Sequence, residues 1–294
     1  MRPAMHWARR VGLAALLLLG TAQAEPLIWM AEDEDSRLYL AGSLHLLPES
    51  AYPLNPAYER VYRDISRLVL EADLTQLESP TNQTLLLASA QAETDATLRE
   101  RIGDDLYEDV RRHAKRLGLP LFSLDSLKPW FVGLMLELAA YQQAGFRPEH
   151  GLDQHFSRRA IADQKPIRGL ETPDEHMRLL VGLGDGDIGS TSTLAATLSQ
   201  FETYDDLPET IYQAWRDGDL AALGELVDTM AEEHPEAFDR LLADRNLRWL
   251  NDLVGLLAGP DNVLVIVGAA HLPGQTGLLQ LLASEGMTLT RVTR

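Results

Sequence analysis

Seven short apolar runs punctuate the chain, at Leu27–Met30, Leu38–Ala41, Leu68–Leu70, Leu119–Ser123, Pro166–Leu170, Val263–Val267 and Met287–Val292. Each has the length of a strand, and longer stretches between them carry apolar residues at helical spacing. Asp104 to Leu117 is one such stretch, stopped by Gly118, and Leu127 to Ala144 reads as a buried helix. A further helix follows Gln275 and ends near Gly286. Thr172-Pro173-Asp174-Glu175 is a capping box with proline at the first helical position, so a helix opens directly after the Pro166–Leu170 strand. Strand–helix alternation needs crossover connections, which gives an α/β fold whose mixed or mostly parallel central sheet is flanked by helices. Two regions, about 75–116 and about 207–257, look helical without intervening strands. They are read as insertions that form a cap on a single domain, residues 25–294.

Residues 1–24 are set apart from that domain. Arg2, Arg9 and Arg10 precede an apolar run from Val11 to Gly20, and Ala22-Gln23-Ala24 supplies small residues where a signal peptidase cuts. The apolar run spans about half the roughly 20 residues that a membrane helix needs. A cleaved export signal follows, with a periplasmic or secreted product and no stable membrane anchor. The chain has no cysteine, so neither disulfides nor thiolate chemistry are available to it. Removing residues 1–24 leaves 23 basic and 44 acidic residues, a formal net charge of −21. Such a body repels phosphate backbones, which argues against nucleic acid as a partner.

One motif occurs twice. Leu38-Tyr39-Leu40-Ala41 runs into Gly42-Ser43-Leu44-His45, and Val263–Val267 runs into Gly268-Ala269-Ala270-His271. In both, a strand meets a glycine that permits a sharp turn or a close approach, and a histidine follows at the carboxyl end, where open α/β sheets place ligands. Glu71 and Glu171 close two further strands, and a carboxylate there is costly unless paired, hydrogen-bonded or bound to a metal. Neutral imidazoles with carboxylates suit Zn, Mn, Co or Fe. Two other readings stay open: Glu171 as part of the entry to the helix opened by Thr172, and Glu71 as the partner of a buried arginine. Gly184-Asp185-Gly186-Asp187-Ile188-Gly189 matches a dinucleotide fingerprint by letter. It follows a helix rather than a strand, and its aspartates oppose a pyrophosphate, so it is read as a loop.

Taken together, these pieces resemble the TraB/GumN family, to which the Tiki metalloproteases are related. The resemblance runs through Gly42-Ser43-Leu44-His45, Leu68-Val69-Leu70-Glu71-Ala72-Asp73, Gly151-Leu152-Asp153, Gly169-Leu170-Glu171-Thr172, Asp244-Arg245-Asn246 and Gly268-Ala269-Ala270-His271. Ser43 stands where threonine is usual, and Ala270 where glycine is common. The resemblance implies a fold like that of the erythromycin esterase and haem-binding lipoprotein clan. It also implies metal-dependent hydrolysis of a peptide or small polar substrate, with Mn or Co favoured. His45, His271 and Glu71 would be ligands, and Glu171 a second carboxylate ligand or the general base. Arg245 would stabilise developing oxyanion charge, Asn246 would position a group, and Asp153 would orient a ligand histidine. The alternative from a different class is a non-catalytic periplasmic protein that binds peptide, polysaccharide or haem.

Mass spectrometry of the exported protein should give a chain beginning near Glu25. Intact Met1 in the exported fraction would contradict the export reading.

Overall fold

A computed structural model describes residues 25–182, 187–203 and 206–293. The export segment lies outside these residues, as does the core of the Gly184–Gly189 stretch. Among the described residues eight strands are formed: β1 (Ile28–Glu32), β2 (Arg37–Ser43), β3 (Leu47–Pro48), β4 (Arg67–Ala72), β5 (Phe146–Arg147), β6 (Ile167–Glu171), β7 (Val263–Gly268) and β8 (Thr290–Arg291). Among the described residues the main sheet has six strands in the order β6-β4-β7-β2-β1-β8. β6, β4, β7 and β2 run parallel, whereas β1 and β8 are antiparallel additions at one side. β3 and β5 form a separate two-stranded ribbon. The fold is α/β with a mostly parallel mixed sheet.

The central strands show why the sequence runs are so continuously apolar. Leu264 and Val265 of β7 and Leu38 and Leu40 of β2 are all fully buried, because helices cover both faces of the parallel part. One cover is the helix Pro56–Asp64, which carries the chain from β2 to β4 across the place β7 later fills. It begins at Asn55, whose side chain accepts from the Ala57 N–H at 2.9 Å, with Pro56 at the first helical position. Its buried stripe, Ala57, Tyr58, Val61 and Tyr62, repeats at helical spacing against the sheet.

Both long excursions are larger than the sequence suggests. Between β4 and β6 the helices run from Leu74–Leu77 to Leu152–Ala162, interrupted only by the short β5. Between β6 and β7 they run from Pro173–Gly182 to Asp244–Leu257. The helix Asp104–Leu117 ends at Gly118 with φ +74°. The Thr172 capping box forms, with the Thr172 N–H donating to Glu175 at 2.8 Å and the Glu175 N–H to Thr172 Oγ1 at 3.2 Å.

The run Leu119–Ser123 is not a strand. Pro120 lacks a donor for a ladder, and residues Leu121–Ser123 make one tight 3-10 turn. Leu119 and Leu121 instead pack on a second hydrophobic core, built by Val110, Leu124, Val132, Leu136, Leu194 and Leu198 within the helical layer. The C-terminal run shrinks to the two residues of β8.

Replacing Leu40, fully buried in β2, by alanine should lower stability by about 2–5 kcal/mol in urea unfolding. Phe122→Ala, at an 80 % exposed site, should leave the midpoint unchanged. Equal effects would contradict the placement of the sheet at the core.

Candidate functional site

Four consecutive parallel strands deliver four side chains to one edge of the sheet. β6 ends in Glu171, β4 carries Glu71, β7 ends at Gly268 ahead of His271, and β2 ends two residues before His45. Register fixes their relative heights: Ser43 lies opposite Gly268, Leu70 opposite Ile266, and Ala72 opposite Glu171. The two glycines act by permitting close approach. A methyl on Gly42 would lie 2.7 Å from Leu272 Cδ1 and 3.2 Å from Ala269 Cα, so only glycine lets the turn after β7 pack onto β2. A methyl on Gly268 would lie 3.3 Å from Glu71 Oε1, 3.6 Å from His271 Cδ2 and 3.9 Å from His45 Nε2. Three side chains from three strand ends therefore surround one α-carbon.

Each histidine is oriented through Nδ1. Asp153 Oδ2 lies 2.6 Å from His45 Nδ1, and Asn246 Oδ1 lies 2.7 Å from His271 Nδ1. The Asn246 amide also donates to the Thr276 carbonyl at 2.8 Å, which fixes which of its ends faces the ring. Nδ1–H donation to these oxygens leaves Nε2 as the acceptor of the neutral His271 ring, and of the His45 ring once its second proton is lost. Asp153 reaches His45 because Gly151 lets its loop close onto the chain: a methyl there would overlap the His45 carbonyl, and the Leu152 N–H donates to Leu44 O at 3.1 Å.

Arg245 joins the two carboxylates. Its Nη2 donates to Glu71 Oε2 at 2.6 Å and to Glu171 Oε2 at 3.0 Å, and its Nε donates to Glu171 Oε1 at 2.8 Å. Nη1 lies 3.2 Å from His271 Nε2, and the guanidinium carbon sits 4.6 Å from the centre of the Trp249 ring. Arg245, Glu71 and Glu171 are all buried. Deleting one partner would strand a buried charge, at a cost of about 3–5 kcal/mol. A wide π turn at Asp239–Ala243 precedes the helix Asp244–Leu257, whose first residues present Arg245 and Asn246 to the sheet edge.

Titration follows from this arrangement. Asp153, 2.6 Å away, raises the His45 imidazolium to about 9. Burial depresses His271 to about 4, against the pull of Glu71. Burial also opposes ionisation of Glu71, but the positive charges of its neighbours and the Gly268 N–H, which donates at 2.6 Å, hold it well below the usual carboxylate range. With His271 neutral at pH 7, Arg245 and His45 carry that effect. Glu171 is also lowered: burial resists, but His176, at 3.1 Å, and Arg245 outweigh it.

Two cavities meet at His45 and Glu71. The larger, about 550 Å³, is walled mainly by aliphatic side chains of both helical excursions and reaches His45, Glu71, Arg245, Gly268 and His271. The smaller, about 150 Å³, shares Ser43 with it and adds Asp153 and His176. Glu171 lines neither; it faces a third hollow with Arg178, Arg240 and Arg248.

Residues 27–291 match the TraB/PrgY/gumN family across nearly the whole described chain. The chain belongs to that family. No curated protein and no solved structure matches it.

In this TraB/PrgY/gumN member, the fold gathers His45, Glu71, Arg245, Asn246, Asp153 and His271 at one place. Glu171 joins them through Arg245 rather than through the cleft. A divalent cation fits the donors in kind: two imidazoles set through Nδ1, a carboxylate, and two buried oxygens without partners, Ser43 Oγ and Asp153 Oδ1, at the smaller cavity. Among the described residues no three His, Asp or Glu side chains stand preassembled around a point. Arg245 takes Glu71 Oε2 and approaches the Nε2 lone pair of His271. Sequence reading missed the roles of His176 and Trp249. His176 follows Glu171 by five residues and Trp249 follows Arg245 by one helical turn, a spacing that could have flagged both.

In the metal-free protein, NMR titration should find the His45 ring changing charge near pH 9 and the His271 ring near pH 4. Asp153→Asn should bring the His45 value down, because the charge that raises it is gone. An unmoved His45 titration would contradict the pairing.

Proposed function

We propose that this chain is an exported metal-dependent hydrolase of the TraB/PrgY/gumN family, acting on a peptide bond. The observation that carries the reading is the meeting of two Nδ1-anchored imidazoles and Glu71 around Gly268, at the end of a cleft large enough for a peptide segment. His45 Nε2, His271 Nε2 and Glu71 would hold the cation; Mn or Co is favoured by family resemblance, and the donors also admit Zn or Fe. Such a cation supplies Lewis acidity and lowers the pKa of water.

The protein's own groups have distinct tasks in this reading. Asp153 and Asn246 fix the tautomer and orientation of the two rings. Arg245 lines the cleft, and its Nη1, which donates to the Leu241 carbonyl at 3.2 Å and lies 3.2 Å from His271 Nε2, would have to turn from these to meet a developing oxyanion. Glu171 grips Arg245 through both oxygens, which favours a positioning role over that of a base facing the substrate. The acidic body opposes a nucleic acid, and the aliphatic cleft walls suit the apolar side chains of a peptide better than a small polar ligand.

A second reading has its own observation. Arg245 already pairs with both Glu71 and Glu171, as it would in a protein that binds peptide, polysaccharide or haem in the cleft without cleaving it.

Elemental analysis of the purified mature protein should find about one transition metal per chain, lost in a His45→Ala/His271→Ala double variant. A peptide-library screen should find hydrolysis that disappears with the metal. A metal-free protein that binds peptide undiminished after the double substitution would favour the binder. Glu171→Gln should lower stability together with turnover if the residue positions Arg245. Loss of turnover alone, with stability and metal retained, would make it the base.

A further inference from the structure

Ser43 closes β2 between the two cavities that meet at His45 and Glu71, and lines both. It is 2 % exposed, and among the described residues its Oγ has no hydrogen-bond partner. A hydroxyl so placed is costly until something bonds to it. With the cation assigned to His45, His271 and Glu71, that hydroxyl is left for another group. Register shows where it points. Ser43 pairs with Gly268 and Leu70 with Ile266, so Ser43, Ile266, Leu70 and Ala72 share one face of the sheet. All four line the smaller cavity. Leu74 and Leu77, on the first helix after β4, extend its aliphatic wall, and Asp153 and His176 bring polar groups from two other helices.

Water is a poor filling for this space. At about 30 Å³ each, several molecules would fit in about 150 Å³, and each needs two to four polar partners. Most polar atoms nearby are already engaged. Glu71 accepts from Arg245 and from the Gly268 N–H, His45 Nδ1 pairs with Asp153 Oδ2, and His176 Nδ1 with Glu171. A cavity of roughly 150 Å³ admits benzene, so the space takes one small or medium side chain rather than a length of chain. Two buried oxygens remain unbonded: Ser43 Oγ, which can donate or accept, and Asp153 Oδ1, which accepts. A hydroxyl on a short aliphatic body complements both these oxygens and the leucine walls.

We infer that the smaller cavity is a subsite for a threonine side chain of a bound peptide, and that Ser43 reads its hydroxyl. The inference rests on the peptidase reading in taking a peptide as the ligand. Serine offers the same hydroxyl without the methyl group that the leucines would bury. Valine offers the shape without the hydroxyl. It would leave Ser43 unbonded against an apolar group, a loss that hydrogen-bonding sites discriminate against.

The test is binding to the full mature chain, measured by fluorescence anisotropy. The probe is an alanine-based peptide labelled at its carboxyl end, with threonine, serine or valine placed at each position in turn. At one position threonine should bind about tenfold more tightly than valine, with serine between them. Ser43→Ala should bring the threonine-to-valine ratio to about one or below. The thermal midpoint should stay equal or rise, because an unbonded buried hydroxyl is removed. Leu77→Trp, which fills the cavity, should erase the preference without weakening the all-alanine peptide. If threonine outbinds valine at no position of the wild-type chain, the inference is overturned. A preference that survives Ser43→Ala or Leu77→Trp overturns it too. So does a loss of affinity in Ser43→Ala shared equally by every peptide, which would put the hydroxyl on the peptide backbone. Tighter binding of serine than of threonine overturns the choice of threonine. No binding of any peptide would sink the peptide ligand and the subsite with it. A chain that shows the preference but hydrolyses nothing contradicts the hydrolase reading alone, and one that hydrolyses peptides without the preference contradicts the subsite alone.

Discussion

A buried arginine between two glutamates organises the end of this sheet. Neighbouring parallel strands bring Glu71 and Glu171 to the same edge, where two carboxylates without a cation would repel each other and resist burial. Arg245 resolves the conflict from outside the sheet, on a helix that belongs to the second long excursion. The consequence is mechanical as well as electrostatic. Gripping both strand ends holds the helix Asp244–Leu257 against the sheet, and that helix also carries Asn246, which sets His271, and Trp249, whose ring lies 4.7 Å from the His271 ring. Loss of this contact would release the histidine along with the arginine.

The same arginine frames the chemistry. A cation bound near Gly268 would compete with Arg245 for Glu71 and for the Nε2 lone pair of His271. The guanidinium would then be freed toward the cleft, where an oxyanion would form. In the proposed reading, one residue would offset the carboxylates' charge while no cation is bound and become available once one is. His45 stands differently, with its side chain 57 % exposed and its Nδ1 held by a nearly buried Asp153. It presents Nε2 without competition from Arg245.

Much of the parallel sheet was legible in the sequence because strands buried on both faces must be apolar throughout. Val263–Val267 and Leu38–Ala41 could hardly be anything else. The doubled glycine-to-histidine turn was legible for a related reason: the glycines answer to steric demands, and Gly42 would collide with Leu272 if it carried a side chain. Leu119–Ser123 misled because an apolar run of strand length also suits a turn packed on a separate helical core, and only tertiary context distinguishes them. Glu71 allowed two readings from sequence, metal ligand or partner of a buried arginine. Its two oxygens keep both in play, one accepting from Arg245 and the other from the Gly268 N–H. The partnership of Glu171 with His176 and the fit of Gly151 against His45 depend on contacts between distant segments, which no local pattern encodes.

The account stands on one cation being shared by side chains from three strand ends. Crystals grown with Mn(II) and measured at the manganese absorption edge would locate that ion directly. The account predicts a single strong anomalous peak bonded to His45 Nε2, His271 Nε2 and a Glu71 oxygen, beside Gly268. No peak there, with Arg245 still bound to Glu71 and His271, would contradict it.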